Sequence, residues 1–140
     1  MADPHDLQRF VDAQATTYDR ALAELRAGAK RSHWMWFVFP QIAGLGQSST
    51  ARHYAISGRE EALAYLDHPL LGHRLVEATE AVTTAAPGSS AETIMGGIDA
   101  MKLRSSMTLF AAVARYPAPF EPALTRFFGG ERDPETMRRL

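Results

Sequence analysis

The chain has 140 residues, 46% hydrophobic and 22% charged, with fifteen Lys and Arg against sixteen Asp and Glu. Those proportions describe one ordinary globular domain over residues 1–140, long enough to bury roughly 68–70% of the surface its unfolded form exposes. A formal net charge of −1 argues against general nucleic-acid binding, and the absence of cysteine removes disulfides, thiol catalysis and Cys-ligated metal sites.

The start, MADPHDLQRF, carries Asp3, Asp6 and Arg9 and lacks the apolar core of a secretory signal. Asp3-Pro4 reads as a capping acid and first-turn proline, with Leu7, Phe10, Val11 and Gln14 following at helical spacing. Thr16 or Thr17 caps a second helix, whose stripe is Tyr18, Leu22 and Leu25 and whose stop is Gly28. Residues 34–39, between Ser32 and Pro40, form the longest apolar run, far short of the roughly 20 residues of a membrane span. No second alternating run offers a strand partner, so this run is expected as a buried central helix. Residues 41–49 read as a loop containing Gly44 and Gly46.

A helix follows from Arg59 to Asp67, and Pro69 starts the next, with Leu71, Leu75, Val76 and Val82 on one side. Residues 85–90 form a loop; Ser90 then begins a short helix that stops at Gly96-Gly97. Asp99 is expected to cap a long helix through Met101, Leu103, Met107, Leu109, Phe110 and Val113. Pro117 and Pro119 break the chain, Phe120 to Phe128 is a short apolar helix stopped by Gly129-Gly130, and Asp133-Pro134 caps a last turn. The expected class is all-α: a compact single-domain bundle of about six to eight short helices.

Two blocks carry candidate chemistry. In the first, KRSHWMWFVFPQ (residues 30–41), Lys30, Arg31, Ser32 and His33 stand at the expected N-terminus of an apolar helix. Free backbone N–H groups there attract anions, Arg31 adds a bidentate donor, and His33 offers an imidazole as acid or base. Trp34 and Trp36 fall on nearly opposite helix faces, so at most one of them lines a given pocket and the other packs in the core. In the second block, KLRSSMTLF (residues 102–110), Lys102 lies one turn from Ser105 and Ser106. The S-x-x-K order of serine–lysine hydrolases is absent, because Thr108 and Leu109 stand three residues beyond the two serines. The dinucleotide fingerprint fails at Ser49, no phosphate loop or nucleophile elbow occurs, and His68 and His73 are spaced wrongly to chelate a metal on a helix.

These blocks, together with Gly44-Leu45-Gly46, Tyr54-Ala55-Ile56, the DLQRF of residues 6–10 and the FGGERD of residues 128–133, resemble the domain-of-unknown-function 1810 family over nearly the whole chain. The resemblance implies a small, all-helical, single-domain and mostly bacterial protein, and it supplies no reaction. Some members carry the label calpastatin; nothing in this chain has the disordered, repeated composition of such an inhibitor.

The expected function is binding of a small anionic or nucleotide-like ligand between the two blocks. Arg31, Lys102 and Arg104 would hold its oxygens, Ser32, Gln41 and Ser105 would hydrogen-bond it, Trp34 would wall it, and His33 would be the group for proton transfer. No metal or cofactor is expected, residence is expected to be cytoplasmic with no membrane partner, and oligomeric state and catalysis stay open. The alternative is a non-enzymatic interaction module or homodimer that uses the aromatic segment.

Overall fold

Capping chemistry marks several helix boundaries in the computed structural model, which describes residues 2–116 and 118–140. The ten helices, all of which lie among the described residues, are α1 (Gln8–Gln14), α2 (Tyr18–Ala27), α3 (Met35–Val38), α4 (Ser49–His53), α5 (Arg59–Asp67), α6 (Leu71–Thr84), α7 (Ala91–Met95), α8 (Gly97–Val113), α9 (Phe120–Phe128) and α10 (Pro134–Arg138). Ser90 accepts from the Thr93 N–H to start α7, and Asp133 accepts from the Thr136 N–H with Pro134 at the first helical position of α10. Gly28 ends α2 in the left-handed conformation at φ 71°, where a Cβ would also stand 2.7 Å from that of Ala86. The half-buried Arg126 of α9 answers free carbonyls at the C-terminus of α6, reaching Val82 at 3.0 Å, Thr83, and Ala86 at 2.8 Å.

Several boundaries depart from expectation. The Asp3 carboxylate does cap, but it receives the N–H groups of Leu7 (2.9 Å) and Gln8 (3.0 Å) across an intervening turn, so α1 begins at Gln8 and not at Pro4. Those two N–H groups hold the Asp3 carboxyl below its ordinary range. Asp99 lies inside the first turn of α8 and makes no cap; Gly96 precedes the helix. The loop expected over 41–49 ends in α4, a single turn capped by Ser48. The break expected at Pro117 lies outside the described residues.

The buried central helix is α8, not the aromatic run. From Leu103 to Val113 every residue of α8 except Arg104 and Ala112 is buried, and α5, α7, α9 and α10 all pack against it. Residues 34–39 instead contain one turn, α3, with Trp34 outside helical geometry at φ −140° and Pro40 closing the segment. Trp34, Met35, Val38 and Phe39 still bury completely, joining one contiguous core with Phe10, Tyr65, Leu75 and Phe110. Burial pushes the Tyr65 phenol above its ordinary range, and Gln14 donates to its oxygen at 3.2 Å.

No strand forms among the described residues. A single parallel bridge joins Ile42 to Ile56: Ala43 N–H donates to Ile56 O and Ile56 N–H to Gln41 O, both at 2.8 Å. That bridge pins the base of the loop carrying α4, whose five residues are all outside the core. No helix among the described residues is long and apolar enough to cross a membrane.

Candidate functional site

The pinned loop, the first two turns of α8 and the start of α10 leave a hollow of about 550 Å³ between them. Trp36 and Tyr54 supply aromatic wall, Ile98 and Met101 its apolar rim, and Gln41, Arg52, Lys102, Ser105, Asp133 and Glu135 its polar and charged groups. Ile98 and Met101 are 75% and 72% exposed, which sets them apart from the other large apolar side chains of α8. The Lys102 ammonium lies 4.2 Å from the Trp36 ring centre and 3.6 Å from Asp99. Asp99 is held more closely by the buried ammonium of Lys30, at 2.8 Å. Two lysines thus share one carboxylate, and Lys102 has the looser half of it.

Trp36 faces the hollow because Trp34 is drawn inward. Glu24, on α2, accepts four donors from the segment before α3: the N–H groups of Arg31 (2.8 Å) and Ser32 (3.0 Å), the Ser32 hydroxyl (2.5 Å) and the Trp34 indole (3.0 Å). Burial by itself raises the Glu24 carboxyl, but these hydrogen bonds outweigh it and bring its pKa down to about 2. Only one tryptophan lines the hollow, and the roles are the reverse of those assigned from sequence: Trp34 is fully buried.

Of the eight candidates, Gln41, Lys102 and Ser105 meet in the hollow. Ser32 is engaged by Glu24, and the side chain of Arg31 is exposed outside the lining. Arg104 points to the C-terminal segment, donating to Glu131 O (3.0 Å) and Arg132 O (2.8 Å), so its charge secures the approach to α10. His33 is exposed in a second, more open hollow with Ser49, Thr50 and His53; Trp36 and Tyr54 stand between the two hollows and line both.

Asp133, read from sequence as a helix cap only, also lines the hollow. Its Oδ2 takes the Thr136 N–H (3.0 Å), the Thr136 hydroxyl (2.6 Å) and the Ser105 hydroxyl (3.3 Å). Among the described residues its Oδ1 has no hydrogen-bond partner, and no cation pairs with it. Glu135, also in the lining, is neutralised by Arg139 and Arg138, each at 2.8 Å, which lower its carboxyl. Tyr54 and Asp133 carried no signal of this role, because each reaches the hollow from a segment remote from the two blocks. Among the described residues no group of three or more His, Asp or Glu is arranged to hold a metal ion.

A family model described as "Protein of unknown function (DUF1810)" matches residues 4–140. The crystal structure of the conserved hypothetical protein Rv1873 from Mycobacterium tuberculosis is similar at 52% identity and TM-score 0.96, covering 99% of this chain and 98% of that one. No curated protein matches.

Proposed function

The chain belongs to the DUF1810 family of proteins of unknown function, and from its own residues we propose that it binds a small ligand carrying an anionic group on a flat or apolar body. One observation carries the reading: a hollow of about 550 Å³ has a half-buried, loosely paired lysine lying on an aromatic wall. That volume falls within the roughly 300–1,000 Å³ of ordinary small-molecule sites, which combine apolar walls with a few convergent polar groups. Lys102 is the anion anchor, Gln41 and Ser105 are the hydrogen-bonding groups, and Trp36 with Tyr54, Ile98 and Met101 covers the body of the ligand. Water-poor surroundings strengthen the attraction to Lys102 beyond that of an open surface lysine. His33, Arg31, Ser32, Trp34 and Arg104 have no part in this binding.

The test is a thermal-shift screen of small acids and nucleotides on the wild type, Lys102→Met and His33→Ala. A ligand at a hundredfold excess over its Kd stabilises by about 2.7 kcal/mol. For a chain of 140 residues that is a rise of about 9 °C. The expected pattern is a rise lost in Lys102→Met and kept in His33→Ala. A rise lost only in His33→Ala assigns the ligand to the second hollow and overturns the reading.

A second reading draws on the exposed pair Ile98 and Met101: an interaction module whose contact is this rim and not the largely buried aromatic segment. Light scattering over a dilution series separates the two, because only a self-associating chain loses mass on dilution.

A further inference from the structure

The hollow carries charge of both signs, with Lys102 and the exposed Arg52 as its cations and Asp133 and Glu135 as its carboxylates. Two carboxylates face it, and they are not equivalent: Glu135 is answered by Arg138 and Arg139 at the end of α10, whereas Asp133 has no cation partner among the described residues and keeps Oδ1 without a hydrogen bond. The anchoring cation is likewise incompletely answered, since the carboxylate 3.6 Å from Lys102 is bound at 2.8 Å by Lys30. Lys102 and Asp133 do not neutralise each other; no ion pair joins them, although both line one cavity. The Ser105 hydroxyl, on the same helix as Lys102, lies 3.3 Å from Asp133. An unanswered acid and a half-answered base thus line one hollow beside an aromatic wall.

We propose that the ligand is a zwitterion of the α-amino-acid type, its carboxylate on Lys102, its ammonium on Oδ1 of Asp133 and its side chain against Trp36, Tyr54 and the Ile98–Met101 rim. This rests on the hollow being the binding site proposed above. Asp133 is then the specificity-determining residue: a plain carboxylic acid or a phosphate meets its negative charge without compensation, whereas an ammonium group is attracted by it. The apolar rim selects amino acids with apolar or aromatic side chains over charged ones.

The experiment is calorimetric titration of the intact chain with the common α-amino acids, the corresponding desamino carboxylic acids and inorganic phosphate. The wild type is compared with Lys102→Met, Asp133→Asn and Asp133→Ser. Asn and Ser both retain the capping oxygen that starts α10, and unchanged melting of the unliganded variants verifies the fold. The expected result is binding of at least one apolar or aromatic amino acid, tenfold or more weaker for its desamino acid. That preference disappears in both Asp133 variants, while Lys102→Met weakens the amino acid itself tenfold or more. Equal binding of amino acid and desamino acid by the wild type, or binding of phosphate alone, overturns the zwitterion and leaves the anion site standing. Absence of binding by all three ligand sets overturns the zwitterion, and overturns the anion site as well when the thermal-shift screen of small acids and nucleotides is also negative.

Discussion

At Gly72 the backbone of α6 lies tightly against that of α5, and replacing it with alanine is the sharpest test of how the two helices are joined. The residue is buried in the first turn of α6, its N–H donating to His68 O at 2.9 Å. A Cβ at this position would stand 2.1 Å from the Leu66 carbonyl oxygen and 3.0 Å from its carbon. Carbon–oxygen contacts in proteins close only to about 3.3 Å, so α5 and α6 must separate by about 1 Å to admit the methyl. The obstacle is backbone, with no side chain to swing aside. Overpacking of this kind costs about 1–3 kcal/mol, and the upper end applies here. Alanine returns about 0.8–1 kcal/mol through its better helix propensity, leaving a net loss of about 2 kcal/mol. For 140 residues at an unfolding entropy of about 2.1 cal/mol/K each, the melting temperature falls by about 7 °C. Calorimetry on Gly72→Ala should be paired with Gly58→Ala, where nothing lies within 4 Å of an added Cβ. Melting of Gly72→Ala at or above the wild-type temperature would refute the close approach.

Glu24→Gln probes the anchor of the tryptophan segment through pH. The folded carboxyl, at about 2, is depressed below its ordinary 4.5, so its stabilisation is complete above about pH 4.5 and is lost as pH falls toward 2. Discounted for the partial exposure of this side chain, the contribution is about 1–2 kcal/mol. The wild type should therefore exceed the variant in urea-unfolding free energy at pH 6, with the gap closing toward pH 2; a gap that is constant with pH contradicts the assignment. Ser106, fully buried in α8, carries a hydroxyl with no hydrogen-bond partner among the described residues. Ser106→Ala removes an unanswered polar group and improves helix propensity, so stability should rise by about 1 kcal/mol. The measure is the denaturant midpoint at unchanged m-value, and a lower midpoint counts against the reading.

Helix ends were legible wherever one residue decides them locally. Ser90, Gly28, Gly129 and the Asp133-Pro134 pair act within a turn of where they sit, and the structure has them in those roles. Asp3 was legible as a capping group but not in its reach, because the turn before Leu7 lies between the carboxylate and the N–H groups it receives. The rank of the helices was harder to read. Both residues 34–39 and α8 are apolar around most of their circumference, and periodicity does not say which of two such segments lies at the centre. Length decides it: α8 spans seventeen residues and offers neighbours on every side, while α3 is one turn of four, too short to serve as a packing hub.

The site divides along the same line. Lys102 and Ser105 share a face because both are on one helix, and their meeting follows from arithmetic on the sequence. The choice between Trp34 and Trp36 does not, because α3 is too short to impose helical alternation and Trp34 is outside it. A carboxylate on α2 makes that choice. Glu24 takes the indole N–H of Trp34 together with the two backbone N–H groups before it, so one ring turns into the core and the other is left to form the wall beneath Lys102. Ser32 stands at a position that reads as a helix cap, yet its hydroxyl serves Glu24. The aromatic block therefore supplies the material of the hollow, while a residue of a preceding helix sets its orientation. Asp133 enters by the same route: its capping role was visible in the sequence, whereas its place in the hollow depends on contacts with α8, from Arg104 to the chain just before α10 and from Thr108 and Ser105 to Asp133 itself.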